Sequence, residues 1–209
     1  MTKTVNEVMM MPEVHIPEDK KQRIIRAALE HFAKNGYKKT TMDEIVAAAD
    51  ISKGLIFHYF GNKKKLYLYL YEFVYGLVYD RIVKSFEQKD LFERIRESER
   101  IKLAVVNEYP YVLDFLLSVR RETDESLREE LSRVKVESFP PWQETFQPGL
   151  DTSKLREGID LEKVTKIISW TTDGLLSEHK DDFVLEDIFA EMDEYLNLMR
   201  KAFYKEEYQ

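Results

Sequence analysis

Cysteine is absent from the 209-residue chain. That excludes a disulfide framework, thiolate metal sites and a cysteine nucleophile, and it fits a reducing, cytoplasmic setting. Glycine and proline are scarce, seven and six in all, so long stretches are free to stay helical. No apolar run approaches the ~20 residues that a helix needs to cross a bilayer. The first 17 residues lack the apolar core and small-residue cleavage pattern of a signal peptide and read as a loose arm, with Met9, Met10, Met11, Pro12 and Pro17. There is no glycine fingerprint for a dinucleotide, no phosphate loop and no His-Glu-x-x-His. Four histidines (His15, His31, His58 and His179) lie far apart. These absences remove the common enzyme signatures, and neither a metal nor a cofactor is expected.

What is present is charge, unevenly spread. The formal net charge is −7, which by itself argues against a nucleic-acid partner. Residues 18–65, however, hold eleven lysines and arginines against six acids, a local +5, which leaves −12 for the remainder. A basic contact surface on an acidic body is one account of this asymmetry. A fluctuation of solvated surface charge is the other.

Helical periodicity runs through the whole chain, and no alternating strand stands out. A first helix is predicted from about Pro17 to Lys34, with Ile25, Ala28, Leu29 and Phe32 on one face and Asn35-Gly36 as its stop. Thr41-Met42-Asp43-Glu44 has the form of a capping box and opens a short second helix whose face is Met42, Ile45, Val46 and Ala49. Asp50-Ile51 breaks the pattern, and Ser52 caps a third helix over Lys53–Tyr59. Gly61-Asn62 ends it, and Asn62 caps a fourth that reaches to about Gln88. Five more helices are predicted at about 91–107, 110–121, 124–146, 161–178 and 183–205, with Pro140-Pro141 kinking or splitting the third of these.

Two short helices joined by a tight turn and braced by another form a helix-turn-helix, whose second helix must be slim enough to enter a major groove about 12 Å wide. On that reading Ile56 and Phe60 point into a small core, while Lys53, Gly54, Leu55, Phe57 and His58 face DNA. Gly54 allows close backbone approach. Lys53 reaches a guanine or a phosphate, Leu55 and Phe57 touch thymine methyls, Tyr59 and Lys63 are placed for phosphate, and Thr41 and Ser52 complete the DNA-binding set. Phe57 also reads as a core residue, and Lys64 as a solvated helix start.

The stretch Gly36-Tyr37-Lys38-Lys39-Thr40-Thr41-Met42-Asp43-Glu44-Ile45, with Ile51-Ser52-Lys53-Gly54-Leu55-Ile56-Phe57-His58-Tyr59-Phe60-Gly61-Asn62-Lys63-Lys64-Lys65-Leu66-Tyr67, resembles the TetR family of transcriptional regulators over about residues 20–67. Asp50 departs from the glycine usual in that turn. The resemblance implies an all-α fold: a loose arm over 1–17, a helix-turn-helix head over 18–65, and a helical ligand-binding and dimerisation body over 66–209. It implies a repressor that binds a palindromic operator as a homodimer through its last two helices and is released by a small molecule. The residue reading leaves open a helical protein-interaction module with a basic head and no sequence-specific DNA binding. The tyrosines 67, 71, 75 and 79 recur every four residues along the fourth helix. They read either as core packing or as the wall of a mostly apolar effector pocket, Tyr67, Tyr71 and Tyr75 being joined there by Phe115, Trp142, Phe146 and Trp170.

Overall fold

A computed structural model describes residues 16–84, 87–139, 144, 146–178 and 185–209. Among the described residues the chain is all-α, with nine α-helices and no strand. They are α1 (Glu18–Lys39), α2 (Met42–Ala49), α3 (Lys53–Phe60), α4 (Lys63–Lys84), α5 (Leu91–Glu108), α6 (Val112–Arg120), α7 (Glu125–Ser138), α8 (Leu161–Glu178) and α9 (Leu185–Phe203). None is long and apolar enough to cross a membrane. The helices fall into two compact units: the described residues within 1–80 and 104–140, and those within 81–103 and 141–209. The boundary runs inside α4 and α5.

The first unit has one core. Ile25, Ala28, Leu29 and Phe32 of α1 meet Ile45 of α2, Ile56 and Phe60 of α3, and Leu66, Tyr67 and Leu70 of α4. Phe115 of α6 and Leu127 and Leu131 of α7 complete it. Helices α1, α2 and α3 therefore share their core with α6 and α7. An eight-residue helix is too short to persist alone, so caps and packing must hold α2 and α3. The Thr41 hydroxyl accepts from the Glu44 amide (3.3 Å) while the Glu44 carboxylate accepts from the Thr41 amide (2.8 Å), as the capping box predicts. Ser52 caps α3 and Asn62 caps α4 by accepting from the amides of Leu55 and Lys65.

Helix α1 ends differently from its predicted stop. The chain turns at Gly36 (φ 71°), but helical turns resume to Lys39. The carbonyls left over are collected by Lys63, whose ammonium donates to Tyr37 O (2.8 Å), Thr40 O (3.0 Å) and Lys38 O (3.4 Å). Helix α4 is described to Lys84, and Gln88 is not helical. Asp90 caps the next helix: its carboxylate accepts from the amides of Phe92 (3.0 Å) and Glu93 (3.3 Å). Pro110 lies in the turn before α6 rather than in its first helical turn. Helix α7 is capped by Asp124 and ends at Ser138. Pro140-Pro141 lie outside the described residues.

In the second unit Leu91, Phe92 and Ile95 of α5 pack with Phe146, with Val164, Ile168 and Leu175 of α8, and with Ile188, Met192 and Leu196 of α9. Polar groups are also buried there. Arg94 donates to the carbonyls of Gln88, Phe146 and Pro148. Asp90 accepts from Lys154 (2.7 Å), and Arg200 lies 3.9 Å away. Burial pushes the Asp90 carboxyl up. The Lys154 hydrogen bond, the Glu93 amide and the charges of Lys154 and Arg200 outweigh it and hold the carboxyl below its ordinary 3.8.

Two stability predictions follow from these contacts. Lys63→Met leaves three carbonyls without their donor and should lower unfolding free energy by roughly 1–3 kcal/mol, read from urea titrations. For Asp90 the folded pKa is depressed, so its contribution exists above the unfolded value near 3.8 and is lost as pH falls through the folded value. Asp90→Asn should therefore be less stable at pH 7, and its stability should fall less between pH 5 and pH 2 than that of the parent chain.

Candidate nucleic-acid interface

The turn between α2 and α3 depends on Asp50, the residue that departs from the resemblance. It takes the left-handed conformation (φ 49°, ψ 56°) and caps α2, which a short polar side chain tolerates better than most. Arg23 of α1 straps this turn, donating to Asp50 O at 3.0 Å and to its carboxylate at 3.4 Å. Nothing in the local pattern marks Arg23 for this task, since the two residues lie 27 apart in sequence.

Helix α3 sorts its eight residues by face. Ile56, Tyr59 and Phe60 are buried and Leu55 is half-buried, whereas Ser52, Lys53, Gly54, Phe57 and His58 are exposed. Phe57 is 37% exposed, so its ring serves the outer face more than the core. A Cβ built on Gly54 would meet nothing within 4 Å. Inside the chain, therefore, no neighbour requires a glycine there.

Two assignments made from the sequence need correction. Tyr59 was expected at a phosphate, but it is only 8% exposed and its ring packs in the head core. Lys63 was expected at a phosphate, but its ammonium is engaged by the three carbonyls at the end of α1. Thr41 and Ser52 are exposed, and their hydroxyls act as helix caps. In the lysine run that opens α4, Lys63 locks α1, Lys64 pairs with Glu130 of α7, and Lys65 is exposed. The exposed cations of the head thus include Lys38, Lys39, Lys53 and Lys65.

Sequence reasoning also missed Asp43. It stands on α2 and pairs with Lys53 at 2.6 Å, with the two side chains 68% and 61% exposed. The Lys53 ammonium lies 5.9 Å from the centre of the Phe57 ring. An exposed pair of this kind is worth about 0–1 kcal/mol, so a phosphate or a guanine edge displaces it at little cost. The arrangement is a helix about one groove wide, with a small residue near its start, a poised cation beside it and an aromatic ring beyond.

Residues 24–70 match the model of bacterial regulatory proteins of the tetR family. Over these residues the chain is similar to the tetR-family head. Over 194 residues it is 24% identical to a probable acrEF/envCD operon repressor of Escherichia coli (strain K12), covering 90% of this chain and 88% of the relative. The fold is similar to that of the fatty acid degradation regulator FadR from Bacillus halodurans, with TM-score 0.71, 20% identity, and 89% and 97% of the two chains covered. It is likewise similar to SmeT of Stenotrophomonas maltophilia in complex with triclosan, with TM-score 0.71, 19% identity, and 90% and 92% covered.

The aromatic residues of this chain divide between the units. Tyr67, Tyr71 and Phe115 are buried in the first unit with Tyr75 half-buried beside them. The Tyr67 ring lies 5.3 Å from Phe115 and 4.9 Å from Phe32, and Tyr71 lies 4.7 Å from Tyr75. Burial drives the Tyr67 and Tyr71 hydroxyls far above their ordinary pKa. The Tyr67 hydroxyl has no hydrogen-bond partner among the described residues. Phe146 belongs to the core of the second unit, and Trp170, in that unit, is 67% exposed. Trp142 lies outside the described residues.

Gly54→Ala separates folding from DNA contact. With open space around the position, alanine should raise stability by about 0.5–1 kcal/mol. If the α3 face enters a groove, the same methyl should weaken duplex binding. A variant that is more stable yet binds duplex DNA as tightly as the parent would show that Gly54 does not face the groove.

Proposed function

We propose that this chain is a ligand-responsive transcriptional repressor that binds a palindromic operator in the cytoplasm as a homodimer. The observation that carries the reading is the outer face of α3: Ser52, Lys53, Gly54, Phe57 and His58 are exposed on a helix whose other face is fully used in the core. Lys53 gives up its weak pairing with Asp43 for a base edge or a phosphate. Phe57 supplies an apolar surface for thymine methyls, and His58 reaches the flanking edge. Lys38, Lys39 and Lys65 neutralise phosphates, and this term makes binding salt-dependent.

A palindromic site needs a two-fold partner. Helices α8 and α9 meet this need with apolar residues left outside the core of their own unit: Ile167 and Trp170 on α8, Tyr195 and Leu198 on α9. Trp170 and Leu198 are 67% and 62% exposed, an unfavourable state for large apolar side chains unless a second copy covers them.

Release requires a ligand with different affinities for two conformations. The aromatic set Tyr67, Tyr71, Tyr75 and Phe115 supports an effector with substantial apolar surface, and the similar fold of SmeT carries triclosan. An effector that shifts α4 moves Lys63 with it, and Lys63 is bonded to the end of α1. The head then loses its geometry on DNA.

The reading is tested by mobility shift on a duplex selected from random sequence. Specific binding should survive competitor DNA, fall steeply with salt and weaken in Lys53→Ala at unchanged thermal midpoint. Trp170→Glu with Leu198→Glu should turn the dimer into a monomer in sedimentation and abolish the shift. Binding without sequence preference would favour a general interaction module instead.

A further inference from the structure

Glu72 lies on α4 and is only 3% exposed. Its single hydrogen bond among the described residues comes from the Ser138 hydroxyl at the end of α7, at 2.8 Å, and no cation pairs with it there. Burial pushes its carboxyl above the ordinary value, and the Ser138 hydrogen bond only partly opposes this. A carboxylate removed from water with one neutral donor is under-compensated, and such a group finds relief in a proton or in a positive charge.

The surroundings favour an organic positive charge. Counting three, four and seven residues along α4 puts Glu72 on one face with Leu68, Tyr75 and Tyr79. Phe139, the residue after Ser138, lies 5.9 Å from the Tyr75 ring and 5.6 Å from the Tyr79 ring. One end of α7 thus delivers a hydroxyl to the acid and a ring to two tyrosines. The Tyr75 ring already receives a cation from within the chain, since the Lys135 ammonium lies 5.6 Å from its centre, inside the ~6 Å range of a cation–π contact.

We infer that Glu72, Tyr75, Tyr79 and Phe139 form a recognition site for a lipophilic organic cation, with Glu72 as its counter-charge and the rings receiving its apolar groups. The assignment deepens the proposed function and rests on it, since it names the charge class of the effector. It differs from the ligand class suggested by the triclosan complex of SmeT, because a buried acid selects positive charge.

Calorimetry on the full chain tests this with two ions of matched shape and opposite charge, tetraphenylphosphonium and tetraphenylborate. The wild type should bind the phosphonium at least about tenfold more tightly than the borate. Glu72→Gln retains an acceptor for Ser138 and should weaken phosphonium binding by about tenfold or more, with no fall in thermal midpoint. Ser138→Ala keeps the carboxylate and should bind the phosphonium at least as tightly as the wild type. The assignment is overturned if neither ion binds, if both bind equally, if Glu72→Gln keeps wild-type affinity, or if Ser138→Ala loses as much as Glu72→Gln. Mobility shifts on the selected duplex run beside these titrations. Failure of the ligand-free wild type to bind any duplex specifically would sink the repressor reading, whatever the ion titrations give, whereas specific DNA binding with no charge preference would sink the cation site alone.

Discussion

The ammonium of Lys63 sits where three main-chain carbonyls converge, and the head is organised around that point. The last turns of α1 follow a left-handed glycine and leave Tyr37, Lys38 and Thr40 carbonyls with no helical donor. A positive charge is the natural partner for that end of a helix, because the peptide dipoles accumulate negative character there. The same lysine is the first residue of α4, so one side chain fixes the exit of α1 relative to the entry of α4. Helices α2 and α3 lie between these two points in the sequence. Their capping groups come from within the segment, at Thr41 and Ser52. Their turn is held from outside it, by Arg23 on Asp50. Helix α3 is therefore positioned by four polar anchors, Lys63, Thr41, Ser52 and Arg23, and one shared core.

The division of labour on α3 explains its unusual composition. Eight residues must supply both a core face and a contact face. Ile56, Tyr59 and Phe60 fill the core so completely that the outer face is free of structural duty. That freedom permits a glycine at position 54, where a methyl would meet nothing in the chain, and an aromatic residue at 57 that would otherwise be hidden. Asp43 adds a constraint from α2. By pairing with Lys53 it keeps a flexible cation near one orientation, and because the pair is solvated, the hold is weak enough to be exchanged.

Much of the head was legible because its signals are local. Thr41 with Glu44, Ser52, Asn62 and Gly61 declare helix ends through groups that act within three or four residues, and each acts there as expected. The burial of Ile56 and Phe60 follows from spacing alone. Tyr59 and Lys63 were misread because their partners are distant. Tyr59 joins a core assembled from helices far along the chain, and Lys63 reaches back 23 to 26 residues to its carbonyls. Arg23 and Asp50 lie 27 apart, and Glu72 and Ser138 lie 66 apart. Periodicity marks a face as apolar or polar, but it does not reveal which polar residue on a mostly apolar face will be caught inside.

A ligand bound among buried side chains has more leverage on α3 than one bound at the surface. Moving a two-state equilibrium from 1:99 to 99:1 demands a differential affinity of about 5.5 kcal/mol, and a solvated surface contact does not supply it. A core does, because packed side chains resist small displacements and shift as a set. In this chain the core that holds Ile45, Ile56 and Phe60 of the head also holds Tyr67, Tyr71, Phe115 and Leu131. A ligand that rearranges the aromatic residues of α4 thus acts on the same packed body that sets the angle of α3. No relay between the two units is needed for the head to respond. Within this unit Lys63 ties the start of α4 to the last carbonyls of α1, so a displacement of α4 must either carry the end of α1 along or break charge-assisted hydrogen bonds. Both alter the mounting of α3.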